Sequence, residues 1–64
     1  MIEIGSEVRI KDNAFEGSLE PDDILARGRV GQVVYIGQNG EIEVITDDIR
    51  EYYLLTTDEI EELK

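Results

Sequence analysis

Residues 28–46 read GRVGQVVYIGQNGEIEVIT, and this stretch decides the fold. Its first half, Val30–Ile36, is rich in β-branched residues and contains no proline, which favours a β-strand. The pair Asn39-Gly40 follows between two apolar runs and predicts a tight hairpin turn. Ile42, Val44 and Thr46 then alternate with Glu41 and Glu43, which predicts the returning strand. The stretch therefore predicts an antiparallel hairpin.

The first strand of this hairpin has apolar side chains on both faces. Because side chains alternate along a strand, Val30, Val34 and Ile36 are predicted on one face. Val33 and Tyr35 are predicted on the other. A strand with one solvated face would alternate more cleanly. We therefore expect a strand that bends across a small barrel, with its internal glycine permitting the bend.

Two further strands are indicated on either side of the hairpin. Val8 and Ile10 alternate with charged residues, which predicts a half-buried strand near the N-terminus. Residues 50–55 predict another strand, which is again apolar on both faces. Asp47-Asp48 separates this strand from the hairpin and predicts a tight connection.

Two segments carry helical signals. Thr56 and Glu59 have the spacing of a capping box, which predicts a short helical turn that packs Ile60 and Leu63 against the body. Residues 21–28 begin with proline, continue with two aspartates and end in glycine. That order suits one or two helical turns, and a long irregular excursion is the alternative.

Together these segments predict an all-β protein, a small antiparallel barrel of about five strands with a short helical turn. We expect residues 1–64 to form a single domain. The predicted core consists of Val8, Ile10, Val30, Val33, Val34, Ile36, Ile42, Val44, Leu54 and Ile60.

The glycine-rich start of the hairpin resembles a KOW-type element of SH3-like barrels. Such elements have a glycine, two residues, a second glycine, one residue and a valine before an apolar strand. Gly28, Gly31 and Val33 have this spacing. The resemblance implies an SH3-like barrel. KOW domains of ribosomal and transcription proteins contact RNA or protein through basic residues, and Arg27 and Arg29 are the basic residues of this element.

Both ends of the chain extend the resemblance. Residues 5–10 and 58–63 look like the first and last strands of small SH3-like proteins. Among these are the variable chain of ferredoxin–thioredoxin reductase, the stromal barrel subunit of photosystem I and a group of small uncharacterised bacterial proteins. The chain lacks the aromatic-rich segment that the photosynthetic barrels carry before the second glycine.

The composition argues against several classes of function. The 64 residues include 16 acidic and 6 basic ones, for a formal net charge of −10, and contain neither histidine nor cysteine. Such a charge repels phosphate backbones and anionic lipids, so we expect no direct nucleic-acid binding and no membrane binding. Without histidine or cysteine, the commonest general base and a thiolate nucleophile are missing. We therefore expect no enzymatic activity.

Acidic pairs offer oxygen ligands for a hard metal ion. They are Asp22-Asp23, Asp47-Asp48 and Glu61-Glu62. None has the alternating spacing of an EF-hand loop, and solvated acids in turns are the simpler interpretation. We expect no metal and no cofactor.

The candidate site residues combine aromatic and acidic side chains. Tyr35 and Tyr53 are the candidate aromatic anchors, and Glu41 and Glu43 are the candidate acidic contacts. Since Tyr52 and Tyr53 are adjacent in a predicted strand, their side chains must point to opposite faces. We expect an acidic, non-catalytic protein-interaction module that docks on a basic partner surface. The alternative is a phage-type inhibitor that mimics nucleic acid, in which carboxylates take the place of phosphates.

The N-terminal sequence lacks the basic region and the apolar run of a signal peptide. No apolar run approaches the roughly 18 residues of a membrane span. We expect a cytoplasmic protein.

Overall fold

The computed structural model describes residues 2–63, which form one antiparallel sheet of five strands in the order β4-β3-β2-β1-β5. The strands are β1 (Glu7–Ile10), β2 (Val30–Ile36), β3 (Ile42–Thr46), β4 (Tyr52–Leu55) and β5 (Ile60–Glu62). A short helix, α1 (Pro21–Ala26), lies between β1 and β2, and a 3₁₀ turn (Thr57–Glu59) precedes β5. The predicted all-β fold is confirmed.

Strand β2 lies at the centre of the sheet, and Gly31 pairs with both of its neighbours, opposite Val8 in β1 and Thr46 in β3. A Cβ atom at position 31 would lie 2.9 Å from the carbonyl carbon of Ile45 and 2.9 Å from Cγ1 of Val44. Both distances are shorter than a non-bonded carbon contact allows. Only glycine permits β2 and β3 to approach this closely.

A β-bulge follows in the same strand. Val33 pairs with Val44, but the next pair joins Tyr35 to Glu43, so Val34 is an extra residue. The insertion reverses the alternation of side chains, and Val33 and Tyr35 therefore lie on opposite faces. The predicted grouping of Val33 with Tyr35 was wrong, because it assumed an uninterrupted period of two.

The core consists of nine buried apolar residues: Val8, Ile10, Ala14, Ala26, Val33, Ile42, Val44, Leu55 and Ile60. Four predicted core positions are corrected. Val34, Ile36 and Leu54 are exposed, and Val30 is half-buried. Leu55 takes the place predicted for Leu54, because it pairs with the buried Ile42.

The segment between β1 and β2 adopts the helical alternative and is tied to the body by side chains. Arg27 donates from Nε to the carbonyl of Ala14 at 2.8 Å and from Nη2 to the carbonyl of Phe15 at 3.0 Å. Glu59 accepts from the Phe15 N–H through Oε2 at 3.0 Å. Its Oε1 accepts from the N–H of Thr56 at 2.9 Å, as the capping-box spacing predicts.

The hairpin turn has the predicted glycine conformation, with φ +86° at Gly40. The N–H of Gly40 donates to the carbonyl of Gly37 at 3.3 Å, and the N–H of Gly37 donates to the carbonyl of Glu41 at 2.7 Å. Asn39 does not have a positive φ. The connection is therefore a three-residue loop with glycine in the left-handed conformation, not a two-residue turn with both central residues left-handed.

We expect Gly31→Ala to lower the free energy of unfolding by about 2 kcal/mol or more, because the added methyl group collides with the backbone of β3. Urea denaturation measures the change. Gln32→Ala, at an exposed position of the same strand, is the matched control and should cost under about 1 kcal/mol. Equal effects of the two substitutions would contradict a close approach at Gly31.

Val33→Ala should cost about 1–3 kcal/mol of unfolding free energy, because Val33 is buried in the core. Val34→Ala removes the same atoms from the adjacent bulge residue and should cost under about 1 kcal/mol. Thermal and urea unfolding of the two variants compare the positions directly. A larger loss for Val34→Ala would mean that the bulge is misplaced.

Candidate interaction surface

The candidate site lies on the face of β2, β3 and β4 that points away from the core. In β3, Ile42, Val44 and Thr46 are buried, so Glu43 and Ile45 point outward. Residues opposite each other in antiparallel strands share a face. The outer face is therefore defined by two rows across the strands: Tyr35, Glu43 and Leu54, and Gln32, Ile45 and Tyr52.

This outer face carries large exposed apolar side chains. Tyr35 is 50% exposed, and Tyr52 and Leu54 are each 61% exposed. Val34, the bulge residue between the two rows on β2, is also exposed. Single exposed apolar residues are ordinary on protein surfaces, whereas several on one regular face indicate a place for contact.

Two predicted site residues meet on this face, and a third borders it. Tyr35 and Glu43 are directly opposite each other in β2 and β3. Glu41 is half-buried at the hairpin turn, where its side chain lies over Gly37: a Cβ atom on that glycine would be 2.6 Å from Cγ of Glu41. Glu41 therefore lies at the end of the outer face that is nearest the hairpin turn, and its side chain is folded over the loop.

Tyr53 lies on the other side of the sheet. It pairs with the buried Val44, and its ring centroid is 5.6 Å from that of Phe15. Its hydroxyl lies 3.5 Å from the carbonyl oxygen of Asp22. The structure therefore separates Tyr53 from Tyr35, and the tyrosine that shares the outer face with Tyr35 is Tyr52.

Sequence reasoning missed Tyr52 and Leu54 as surface residues. Residues 52–55 are all apolar, so no alternation shows which two point inward. Only the pairing of Leu55 with the buried Ile42 decides this. The one usable signal was that Tyr52 and Tyr53 must face opposite ways, and the structure confirms it.

The surroundings of Tyr53 are acidic. Burial raises the pKa of its phenol, and the nearby carboxylates of Asp22, Glu51 and Asp23 raise that pKa further, while Arg29 lowers it. Burial favours the neutral form of a phenol, and adjacent negative charge does the same. Among the charges that act on the Tyr53 phenol, the three carboxylates therefore outweigh Arg29.

The two arginines of the KOW-like element make contacts within the chain. Arg27 holds the carbonyls of Ala14 and Phe15. Arg29 donates from Nε to the carbonyl of Leu25 at 2.8 Å, and its guanidinium contacts the carboxylate of Asp48. Both side chains stabilise the fold in this arrangement.

Residues 2–63 form no pocket, and they contain no group of three or more acidic side chains placed to hold a metal ion. Over the same described range, no helix has the length and apolar character needed to cross a membrane. Comparison of the sequence with models of protein families and with curated proteins gives no match.

Burial and the nearby carboxylates predict that the Tyr53 phenol loses its proton late in a titration. The Tyr53 phenol should ionise above the usual pKa of about 10, at the high-pH end of the phenolate absorbance titration, and Tyr53→Phe should abolish that last step. Tyr52→Phe, on the outer face, is the control and should leave it in place. If Tyr53→Phe left the last step unchanged, the placement of Tyr53 against Asp22 and Phe15 would be wrong.

The same shift predicts how stability depends on pH. Because the folded state favours the neutral phenol, this contribution is fully present below the unfolded pKa of about 10 and is lost as pH rises through the raised folded pKa. Between those two pKa values, the unfolding free energy of the wild type should therefore fall more steeply than that of Tyr53→Phe.

Proposed function

We propose that this chain is a cytoplasmic, non-catalytic protein-interaction module that docks on a basic partner surface through the outer face of β2, β3 and β4. One observation carries the proposal: Tyr35 and Leu54 flank Glu43 in a single row, and both are at least half exposed. The row is an apolar surface with a carboxylate at its centre.

The apolar side chains supply the binding energy. Tyrosine contributes a large contact area with few rotatable bonds, and interface energy concentrates in such anchors when a partner covers them. Tyr35 and Tyr52 lie in different rows of the face, and Leu54 adds an aliphatic contact. A partner that covered both rows would remove all three side chains from water.

Glu43 determines the sign of the partner's charge. A partner that covers Tyr35 and Leu54 also covers the carboxylate between them. Desolvating that carboxylate is costly unless a cation pairs with it. The partner therefore needs a lysine or arginine opposite Glu43, within an apolar surround.

The overall charge acts at longer range. With a formal net charge of −10, the chain attracts a basic surface before contact and accelerates its association. The same charge opposes approach to DNA, RNA or anionic lipid. Charge therefore selects the class of partner, and the outer face supplies the contact.

The arrangement of the face favours docking over mimicry of nucleic acid. A mimic requires carboxylates spaced along a surface as phosphates are. On the outer face Glu43 lies between the apolar side chains of Tyr35 and Leu54, and Glu41 is folded over the turn. We also propose that the fold is SH3-like. The five antiparallel strands and the 3₁₀ turn before β5 support this assignment.

The test is capture of a partner from a lysate of the source organism, with the tagged chain immobilised. Tyr35→Ser combined with Leu54→Ser should weaken binding of the captured basic partner at least about tenfold, because both anchors of the row are lost. Leu19→Ser combined with Leu25→Ser removes two exposed apolar side chains of the segment between β1 and β2, away from the face, and should leave binding unchanged. Glu43→Lys, like the double variant of the face, should weaken binding of the captured basic partner.

Salt provides the second readout. The association rate of the purified partner should fall between about 0.1 M and 1 M salt, as the Debye length contracts from about 10 Å to about 3 Å. Labelled duplex DNA and RNA should show no change in anisotropy on addition of the chain. An acidic partner, or equal binding by the face and control variants, would contradict the proposal, and competition with nucleic acid for the partner would favour mimicry.

A further inference from the structure

The two edges of the sheet differ in how they are protected. Strand β5 forms one edge; it is three residues long, and its Glu61 lies 3.8 Å from Arg9 in an ion pair. Strand β4 forms the other edge and consists of Tyr52-Tyr53-Leu54-Leu55, with neither charge nor proline. Proteins usually protect open edges with short strands, charges or proline. Within residues 2–63, β5 is protected in this way and β4 is not.

The register shows which backbone groups of β4 face the open edge. The N–H of Thr46 donates to the carbonyl of Glu51 at 2.9 Å, so residue 51 directs its carbonyl toward β3. In an antiparallel pair this direction alternates along the strand. Tyr53 and Leu55 therefore bond to β3, and the N–H and carbonyl groups of Tyr52 and Leu54 point to the open edge.

The two sides of this edge differ in chemistry. On the outer side, Tyr52 and Leu54 present exposed apolar side chains. On the inner side, the Tyr53 hydroxyl lies 3.5 Å from the carbonyl oxygen of Asp22, and Glu51 lies opposite the buried Thr46. The carboxylates of Asp22, Glu51 and Asp23 act on the Tyr53 phenol. Arg29 is a cation that acts on that phenol, and its guanidinium contacts the carboxylate of Asp48.

We propose that the β4 edge binds an extended segment of the partner by antiparallel strand addition, and that apolar and basic residues alternate in this segment. This inference rests on the proposed function and deepens it by naming the chemistry of the partner. Partner residues opposite Tyr52 and Leu54 place apolar side chains on the outer face. The residues between them point to the inner side, where lysine or arginine meets the carboxylates.

Charge complementarity separates this occupant from a second copy of the chain. Two copies paired edge to edge through β4 would bring together two chains of formal net charge −10, each with Glu51 beside the edge. An alternating basic and apolar segment pairs with the same backbone groups and neutralises the inner side. Equilibrium sedimentation should therefore show a monomer, and a dimer that Leu54→Lys dissociates would overturn the proposal in favour of self-pairing.

The probe is an acetylated and amidated hexapeptide of alternating lysine and valine with a fluorescent label, followed by anisotropy. It should bind the intact chain. A peptide of alternating glutamate and valine should bind at least about tenfold more weakly, as should a peptide with the lysines and valines in two blocks. No binding of the alternating peptide at millimolar concentration would overturn the proposal, and equal binding of the block peptide would show that charge alone is recognised.

N-methylation tests the geometry of strand addition. In an antiparallel pair, the residues opposite Tyr52 and Leu54 direct their own N–H groups toward β4, and these residues are the valines. N-methyl-valine should therefore abolish binding, whereas N-methyl-lysine at the alternate positions should retain it. The reverse pattern, or equal loss from both, would overturn antiparallel addition.

Substitutions in the chain test the acidic side. Asp22→Asn combined with Glu51→Gln should weaken peptide binding at least about fivefold, because both carboxylates act on Tyr53, which lies on the inner side of β4. Glu3→Gln combined with Glu7→Gln changes the net charge equally. Glu7 lies in β1, three strand spacings or roughly 14 Å from β4, so this control should have little effect. If the two double variants weakened peptide binding equally, the peptide would respond to net charge alone, and the proposed acidic side of the edge would be wrong.

Amide hydrogen exchange locates the contact on the chain. Peptide binding should slow exchange at the N–H groups of Tyr52 and Leu54 at least about tenfold, and slowing confined to β5 would overturn the proposal. The two proposals can fail separately. A captured partner that depends on Tyr35 and Glu43 but leaves exchange at the Tyr52 N–H unchanged refutes strand addition alone, whereas a partner that depends on neither side chain and leaves that exchange unchanged refutes both.

Discussion

The close approach of β2 to β3 at Gly31 is the constraint on which the rest of the structure depends. Gly31 is paired on both sides, with Val8 and with Thr46, so it joins the two halves of the sheet. A side chain there would overlap the backbone at Ile45. Because Gly31 has no side chain, β2 can approach β3 without this overlap. Strand β2 therefore pairs with both β1 and β3, and Val33 and Val44 belong to the same core. The bulge at Val34 then turns Tyr35 outward.

The loop between β1 and β2 decides which face of the sheet is covered. The Arg27 side chain donates to the carbonyl of Phe15, and the Glu59 carboxylate accepts from the Phe15 N–H. The Phe15 ring packs on Tyr53. Since this loop and α1 occupy the core side of the sheet, they leave the outer face uncovered. The same contacts that complete the core thus account for the exposed row of Tyr35 and Leu54.

The basic and acidic side chains of this chain have different roles. Arg27 and Arg29 are engaged with backbone carbonyls, and Arg29 also contacts Asp48. Burial raises the pKa of Tyr53, and Asp22, Glu51 and Asp23 raise it further. A chain with 16 acids and 6 bases that uses part of its positive charge internally presents an acidic surface to partners. The proposed preference for a basic partner follows from this imbalance.

The sequence by itself determined the strands with clear local signals. Val30–Ile36 was predicted to the residue, and the capping-box spacing of Thr56 and Glu59 and the positive φ of Gly40 were also predicted correctly. These features depend on β-propensity, side-chain reach and the absence of a Cβ atom, which are local properties. The tertiary structure alone decided the faces of β2 and β4. An apolar run such as residues 52–55 has no alternation, so its inward face is chosen by the partner strand: Ile42 selects Leu55 for the core and leaves Leu54 outside. The candidate surface therefore depends on register, which a period of two cannot specify where both faces are apolar or a bulge inserts a residue.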